Sequence, residues 1–464
     1  MMYEASIECF ESTFMDAQNK FRHKQGKRFK LFPFKGNNNA YTVENLDYVA
    51  GSYLSGLNDK APGIVDVDKL IEQLFSDIEV RNEDRPDFIE VVKHLCFDDQ
   101  GDLLPLNARM LAGVVTKEDT EKDVADYLVD VLGDRAILKQ PLTRAYQRIN
   151  EQSNVLERTI SERLTNNELP RSKNAPYNQV ITSLQKKFEE DFSYIIENRE
   201  RTREYFISLL ELYYFTYTVQ ACFQLDLFVD GARDKIRPLY FCLEWEATNQ
   251  SRKCYNEGWR SLEKVVKHAF IHAVVLEILN QTSSEIEQWY DYLSLQEWAS
   301  VSEEEDTNIA EQIATLTDKY RSCINDCPAM DALTRESAPQ QKTAAEIRFL
   351  FNSVRTQFDN TGRGRVCNAY SEHFLKFAKG KFGKLRGRSG WLLNLSEEML
   401  IFLLKLCVKN EEQTRLNTVF DEFEARGIFL DPVSKRNVAE YYERLNLIEK
   451  KSDSGDAMYV KRIL

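Results

Sequence analysis

"MLIFLLKLCVKNEEQTRLNTVFDEFEARGIFLDPVSKRNVAEYYERL", Met399 to Leu445, carries three apolar stripes in succession. Met399, Phe402, Leu403 and Leu406 recur at helical spacing, as do Leu416, Val419, Phe420 and Phe423, and then Val438, Tyr441, Tyr442 and Leu445. Beyond them "LIEKK" at 447–451 and "AMYVKRIL" at 457–464 read as strands, joined by the turn sequence "SDSGD" at 452–456. Helix, helix, helix, hairpin is the order of a winged helix, expected over 391–464 with Ser434 as N-cap of its third helix.

In winged helices that bind DNA the third helix enters a major groove. Its exposed cations here would include Lys435, Arg436 and Arg444, with Lys450 and Lys451 on the wing. Residues 391–464 nevertheless hold 11 cations against 13 carboxylates. Such a module serves protein docking as readily as DNA contact.

The segment just upstream shifts the weight towards DNA. From Thr361 to Gly390 eight cations stand against the single carboxylate Glu372: Arg363, Arg365, Lys376, Lys379, Lys381, Lys384, Arg386 and Arg388. The chain as a whole has a formal charge of -13, so an acidic surface that repels polyanions at long range is locally reversed. Gly380, Gly383, Gly387 and Gly390 would let the backbone approach phosphates, and Phe374, Phe377 and Phe382 would anchor the segment or stack on bases. Contacts of this kind fix register without reading sequence, so DNA binding is expected to be non-specific and salt-sensitive.

Composition sets the wider frame. At 464 residues the chain is too long for one ordinary core, and 18 Gly and 11 Pro leave long uninterrupted periodic segments. The fold class expected is mainly α, a multi-domain helical protein with a C-terminal winged-helix domain. Boundaries follow from composition: an N-terminal helical domain over 1–150 with a basic and aromatic start, an aromatic-rich helical middle domain over 151–330, a linker at 331–345, and a helix plus the basic segment at 346–390. The start, "KFRHKQGKRFKLFPFKGNNN" at 20–39, interleaves Lys20, Arg22, Lys24, Lys27, Arg28, Lys30 and Lys35 with aromatic residues. In the middle domain Tyr213, Tyr214, Phe215, Tyr217 and Phe223 crowd one helix, whose buried partner is expected in the helical stretch 251–295. The longest uncharged run, Leu212–Leu225, falls short of the roughly 20 residues of a membrane span. Nine cysteines without paired spacing read as reduced thiols, and the protein as cytoplasmic with no membrane partner.

Enzyme signatures are sparse. No G-x-x-x-x-G-K-[ST] loop is present, so ATP-driven work is expected from a partner and no cofactor is expected here. His268 and His272 share a helix face at the spacing of zinc ligands, but lack the general-base glutamate between them and a third ligand nearby in sequence, and read as core histidines. A metal-dependent nuclease could be built from Asp431 with Glu449 and Lys451, which the winged helix and its wing already account for, or from Pro86–Lys93, where the spacing is wrong.

"GRSGW" at 387–391, "FEARGIFLD" at 423–431, "KKSDSGDAMYVKRIL" at 450–464 and "FPFKGNNN" at 32–39 resemble the DptG (DndG) family, a component of bacterial DNA phosphorothioation-dependent restriction. The resemblance covers about the last hundred residues and the N-terminal patch. It implies a subunit acting with DptF-like and DptH-like NTP-hydrolysing partners against DNA that lacks backbone sulfur, and the sparse enzyme signatures lead us to expect that this subunit is non-catalytic. A scaffold that never touches DNA, and the metal nuclease, are the alternatives.

Overall fold

The computed structural model describes residues 3–462 apart from 19, 38–41, 62–65, 100, 117, 167–168, 171–174, 199–201, 284–288 and 451–457. The chain is mainly helical, and among the described residues no helix is long and apolar enough to cross a membrane.

The N-terminal part contains α1 (Ile7–Phe14), α2 (Val49–Leu57), α3 (Val67–Asp77), α4 (Arg85–Cys96), α5 (Ala108–Leu111), α6 (Asp119–Val131), α7 (Arg135–Gln152) and α8 (Val155–Asn166), with a minimal ladder between β1 (Lys60–Ala61) and β2 (Leu169–Pro170). Caps place several starts: Ser6 accepts from the Cys9 N–H and Asp66 from that of Lys69. Leu70, Ile71 and Leu74 of α3, Val92 and Cys96 of α4, and Ile160 and Leu164 of α8 bury one another in a small satellite core. The basic and aromatic start sorts its residues by polarity. Phe29, Leu31, Phe32 and Phe34 are buried, while the backbone N–H groups of Lys27, Arg28 and Phe29 donate to the buried Glu277 carboxylate. Parts of this start, grouped by composition with the helices up to 150, thus meet the middle of the chain, where the Tyr3 hydroxyl donates to the Leu279 carbonyl, while Phe32 packs on Tyr127 and Phe34 on Tyr370.

The middle is built on α9 (Gln185–Glu197) and α10 (Thr202–Asp226). Apolar residues occupy every side of α10, which is the signature of a helix enclosed on all faces. It continues through β3 (Tyr240–Leu243), α11 (Lys253–Asn256), α12 (Trp259–Lys267), α13 (Ala269–Leu279), α14 (Tyr292–Ala299) and α15 (Glu303–Ser322). The expected partner of α10 was the 251–295 stretch; α12 does pack there, yet much of the aromatic face meets a helix from further on, α17 (Gly364–Phe382). Phe215 packs on Phe382 at 4.3 Å and Tyr214 on Phe377 at 4.8 Å.

Residues 331–345 do not separate cores. Arg335 bonds Asp318 and Glu346, the Lys342 and Thr343 N–H groups donate to Asp306, and α16 (Lys342–Asn360) packs along α15. One apolar core runs from Tyr3 to Val460.

After α17, β4 (Gly383–Leu385) pairs antiparallel with β5 (Trp391–Leu395), and β5 lies parallel to β3. The basic segment is therefore a helix end and a tight hairpin, with Gly387 and Gly390 at positive φ in its turn. Phe374, Phe377 and Phe382 are all in the core, and none is placed to stack on a base.

The tail follows the order α18 (Glu397–Val408), β6 (Gln413–Arg415), α19 (Leu416–Glu424), β7 (Phe429–Leu430), α20 (Pro432–Arg444), β8 (Ile448–Lys450), β9 (Met458–Lys461), with an antiparallel sheet in the order β6-β9-β8. Lys451 and the turn at 452–456 lie outside the described residues. Two features depart from expectation. The N-cap of α20 is Asp431, whose carboxylate accepts from the Val433 and Ser434 N–H groups, and Pro432 supplies the preset φ of a first helical residue; Ser434 is buried inside the first turn. In addition, β7 leaves the tail and pairs parallel with β3, completing a sheet of order β4-β5-β3-β7 that fastens the tail to the body.

Candidate nucleic-acid interface

The sequence of α12 alternates Trp259, Leu262, Val265 and Val266, which are buried, with Arg260, Lys264 and Lys267, which are exposed. On α17 the exposed positions include Arg365, Asn368, Lys376 and Gly380, again one helical face. The two helices pack against each other and run antiparallel. Lys379 lies 6.0 Å over the Trp259 ring at one end of the pair, and Phe270, just beyond α12, meets Tyr370 at 5.1 Å towards the other.

Within 259–267 and 364–382 there are seven cations against Glu263 and Glu372. Arg365 and Lys376 are about 16 Å apart along the axis, at 1.5 Å per residue. Lys267 bonds Glu263 at 3.0 Å, Arg260 stacks on Tyr255, and Lys379 reaches Glu372 at 3.6 Å while lying under Trp391. Among the described residues no hydrogen bond or ion pair holds Lys264, Arg365 or Lys376. Two neighbouring helices of an acidic molecule thus each carry exposed cations free to meet phosphates.

The remaining expected residues lie elsewhere. Arg363 pairs with Asp326 at 2.9 Å. Lys381 and Lys384 turn to the opposite side of the α17 end, pairing with Glu211 at 2.6 Å and Glu244 at 3.1 Å across a cleft of about 400 Å³ that Asn394, Ser396 and Glu398 also line. Burial raises the Glu211 carboxyl above its ordinary range, with Lys381 opposing. Arg386 is a structural clamp, donating to the Leu243, Glu244 and Glu246 carbonyls and to Asn394 Oδ1. Arg388 is exposed in the hairpin turn.

In the tail Lys435 bonds Glu424 at 2.8 Å and Lys450 bonds Glu443 at 2.7 Å; Arg436 and Arg444 are exposed. The start of α20, the end that would meet a groove, faces the body. Arg252 spans Asp431 Oδ1 and Oδ2 at 2.7 and 2.6 Å and Glu246 at 2.6 Å, and Ser434 bonds Glu246 at 2.8 Å. Burial works against the Asp431 charge, but the Arg252 guanidinium and the helix N–H groups hold its carboxyl below the usual range. Asp431 caps the start of the 13-residue α20, whereas Glu449 lies in β8 beyond its far end, where Lys450 bonds Glu443 and Glu449 itself accepts from Gln413. The structure does not bring Asp431 and Glu449 together, and Lys451 lies outside the described residues.

Arg260, Lys264 and Lys267 were not singled out from sequence. Their signal is a strongly amphipathic nine-residue helix with a basic outer face; nothing local says that it lies beside α17. The chain matches no protein-family model and no curated protein.

Proposed function

We propose that this chain is a non-catalytic, DNA-contacting subunit of a bacterial DNA phosphorothioation-dependent restriction assembly. It works in the cytoplasm with partner subunits, similar to DptF and DptH, that hydrolyse NTP. The observation that carries the DNA contact is the antiparallel α12/α17 pair, which brings exposed cations from two distant stretches onto neighbouring helices. At about 16 Å the Arg365-to-Lys376 stretch tracks roughly half a turn of duplex, and it touches phosphates rather than base edges. The restriction role rests on the DptG-like motifs at both ends of the chain. Nine free cysteines agree with a reducing compartment.

The tail, which we read as a winged helix, serves as a tether in this account. Its groove-reading end is packed under Arg252 and Glu246, and Lys435 and Lys450 are matched by the tail's own carboxylates, which favours protein docking over major-groove contact.

Duplex binding followed by fluorescence anisotropy between about 50 and 200 mM salt tests the reading. The full chain is expected to bind weakly and lose affinity steeply with salt, and Lys264→Glu with Lys376→Glu to weaken it at least about tenfold at the lower salt. Absence of any duplex affinity at low salt, alone or with the partner subunits, would leave a scaffold. Plasmid cleavage with Mg²⁺ or Mn²⁺ that is lost on changing Asp431 would make it a nuclease.

A further inference from the structure

Sequence spacing put His268 and His272 on one face without a third ligand; the fold supplies one. α10 ends at Asp226, and α12 passes to α13 through His268, so the carboxylate at the end of one helix meets both imidazoles. Asp226 Oδ1 lies 2.6 Å from His268 Nδ1 and 3.2 Å from His272 Nε2, and all three donor atoms fall within 4.8 Å of one another. His272 is fully buried, whereas the Asp226 and His268 side chains keep 18% and 21% of their exposure, leaving an approach from solvent.

We propose that Asp226, His268 and His272 form a binding site for one divalent transition-metal ion, zinc being the best match. The donor set is two imidazoles and a carboxylate, which suits zinc and its neighbours and leaves a fourth position to water. At zinc bond lengths of about 2.0–2.2 Å, tetrahedral donors stand about 3.3 Å apart. The Asp226–His272 distance already meets this, and the Asp226–His268 distance needs to open by less than about 1 Å.

Three further observations point the same way. Among the described residues no lysine or arginine bonds Asp226, although its side chain is mostly buried, and a buried carboxylate is ordinarily matched by a cation or a metal. His272 Nδ1 lies 2.9 Å from the Tyr292 hydroxyl, the supporting hydrogen bond that fixes the ring of a ligating histidine. When Nε2 takes the metal, the ring proton moves to Nδ1 and donates to that hydroxyl, so no charged imidazole is formed. Phe228, Phe351 and Tyr292 wall the site; Phe228 holds a φ of 51°, a conformation that bulky side chains avoid and that the surrounding packing must enforce.

The test uses the full chain without a polyhistidine tag, stripped with chelator and titrated with Zn²⁺ by calorimetry and with Co²⁺ by its visible ligand-field bands. One equivalent is expected, with a rise in melting temperature on zinc addition. Asp226→Asn, which keeps the shape and loses the charge, and His268→Gln, at a part-exposed position, are each expected to weaken binding at least about tenfold with unchanged circular dichroism. His94→Gln, beside the exposed Glu90, is expected to bind as the parent does. Uptake below one equivalent by the parent, or binding by the Asp226→Asn and His268→Gln variants as tight as the parent's, overturns the site and leaves a hydrogen-bonded trio only. DNA affinity is a separate readout, so this result and that of the salt series fail independently.

Discussion

Arg426 and Asp191 meet with both side chains fully shielded from solvent, the guanidinium donating to both carboxylate oxygens at 2.7 Å across 235 positions of sequence. Arg426 also bonds Glu422 at 2.7 Å and carbonyls of α18 and α19, while Lys409 reaches Asp191 at 3.1 Å. Together with Arg252 on Asp431 it fastens the tail to the middle of the chain.

Arg426→Met is therefore expected to destabilise the protein by about 3–5 kcal/mol in denaturant unfolding, because a buried carboxylate loses its main partner. Adding Asp191→Leu is expected to recover at least half of that, since an apolar pair of similar volume carries no desolvation penalty. A loss below about 1 kcal/mol for the single change would mean that Lys409 and Tyr213 suffice for Asp191.

His23 packs against Phe358 and faces Arg363, Asp326, Gln357 and the Tyr320 hydroxyl. Burial first, and the nearby Arg363 charge second, depress its imidazole to about 4. Above pH ~6.5 the ring is neutral in both folded and unfolded chains and contributes nothing to the pH dependence. Below that, the unfolded chain takes up the proton and the folded one does not, so stability falls between about pH 6.5 and 4, by roughly 3 kcal/mol, and then levels. His23→Phe is expected to flatten unfolding free energy across that window; an unchanged slope would assign the acid sensitivity elsewhere.

Gly51 lies within α2, where alanine would ordinarily favour the helix by about 1 kcal/mol. A Cβ there would stand 2.5 Å from the Leu111 carbonyl oxygen and also press on that of Val114, and backbone does not swing aside. Gly51→Ala is expected to lower stability by about 1–3 kcal/mol. A higher melting temperature would show that α2 can shift away from residues 111–114.

Lys376 and Lys384 separate the free face from the paired one. The Lys384–Glu244 pair is part-exposed, so Lys384→Gln is expected to change stability by less than about 1 kcal/mol and to leave the salt slope of duplex binding unaltered. Lys376→Gln is expected to reduce that slope by about 0.9, one phosphate contact. Equal slopes for the two variants would remove α17 from the interface.

Much of the architecture was legible in the chain. Periodicity marked the helices of the tail, the strands at 448–450 and 458–461, and the enclosed α10, because a stripe or its absence is a local property of the side chains. The basic window at 361–390 was equally plain, yet its division was not: Arg365 and Lys376 face outward while Lys381, Lys384 and Arg386 turn to Glu211, Glu244 and backbone carbonyls. Helical phase after Lys376 and the turn into β4 decide that, and composition carries neither.

From the residues alone follow most of the helical segments, the burial of the aromatic-rich α10, and the place where positive charge gathers. Only the tertiary structure set α12 beside α17, brought Asp226 to His268 and His272, and placed the fully buried Arg426, whose residue type alone argues for the surface. The physical reason is that hydrophobic periodicity specifies a face but not its partner. Which faces meet depends on burying all of them at once, and the polar pairs settle where that packing leaves no water to replace them.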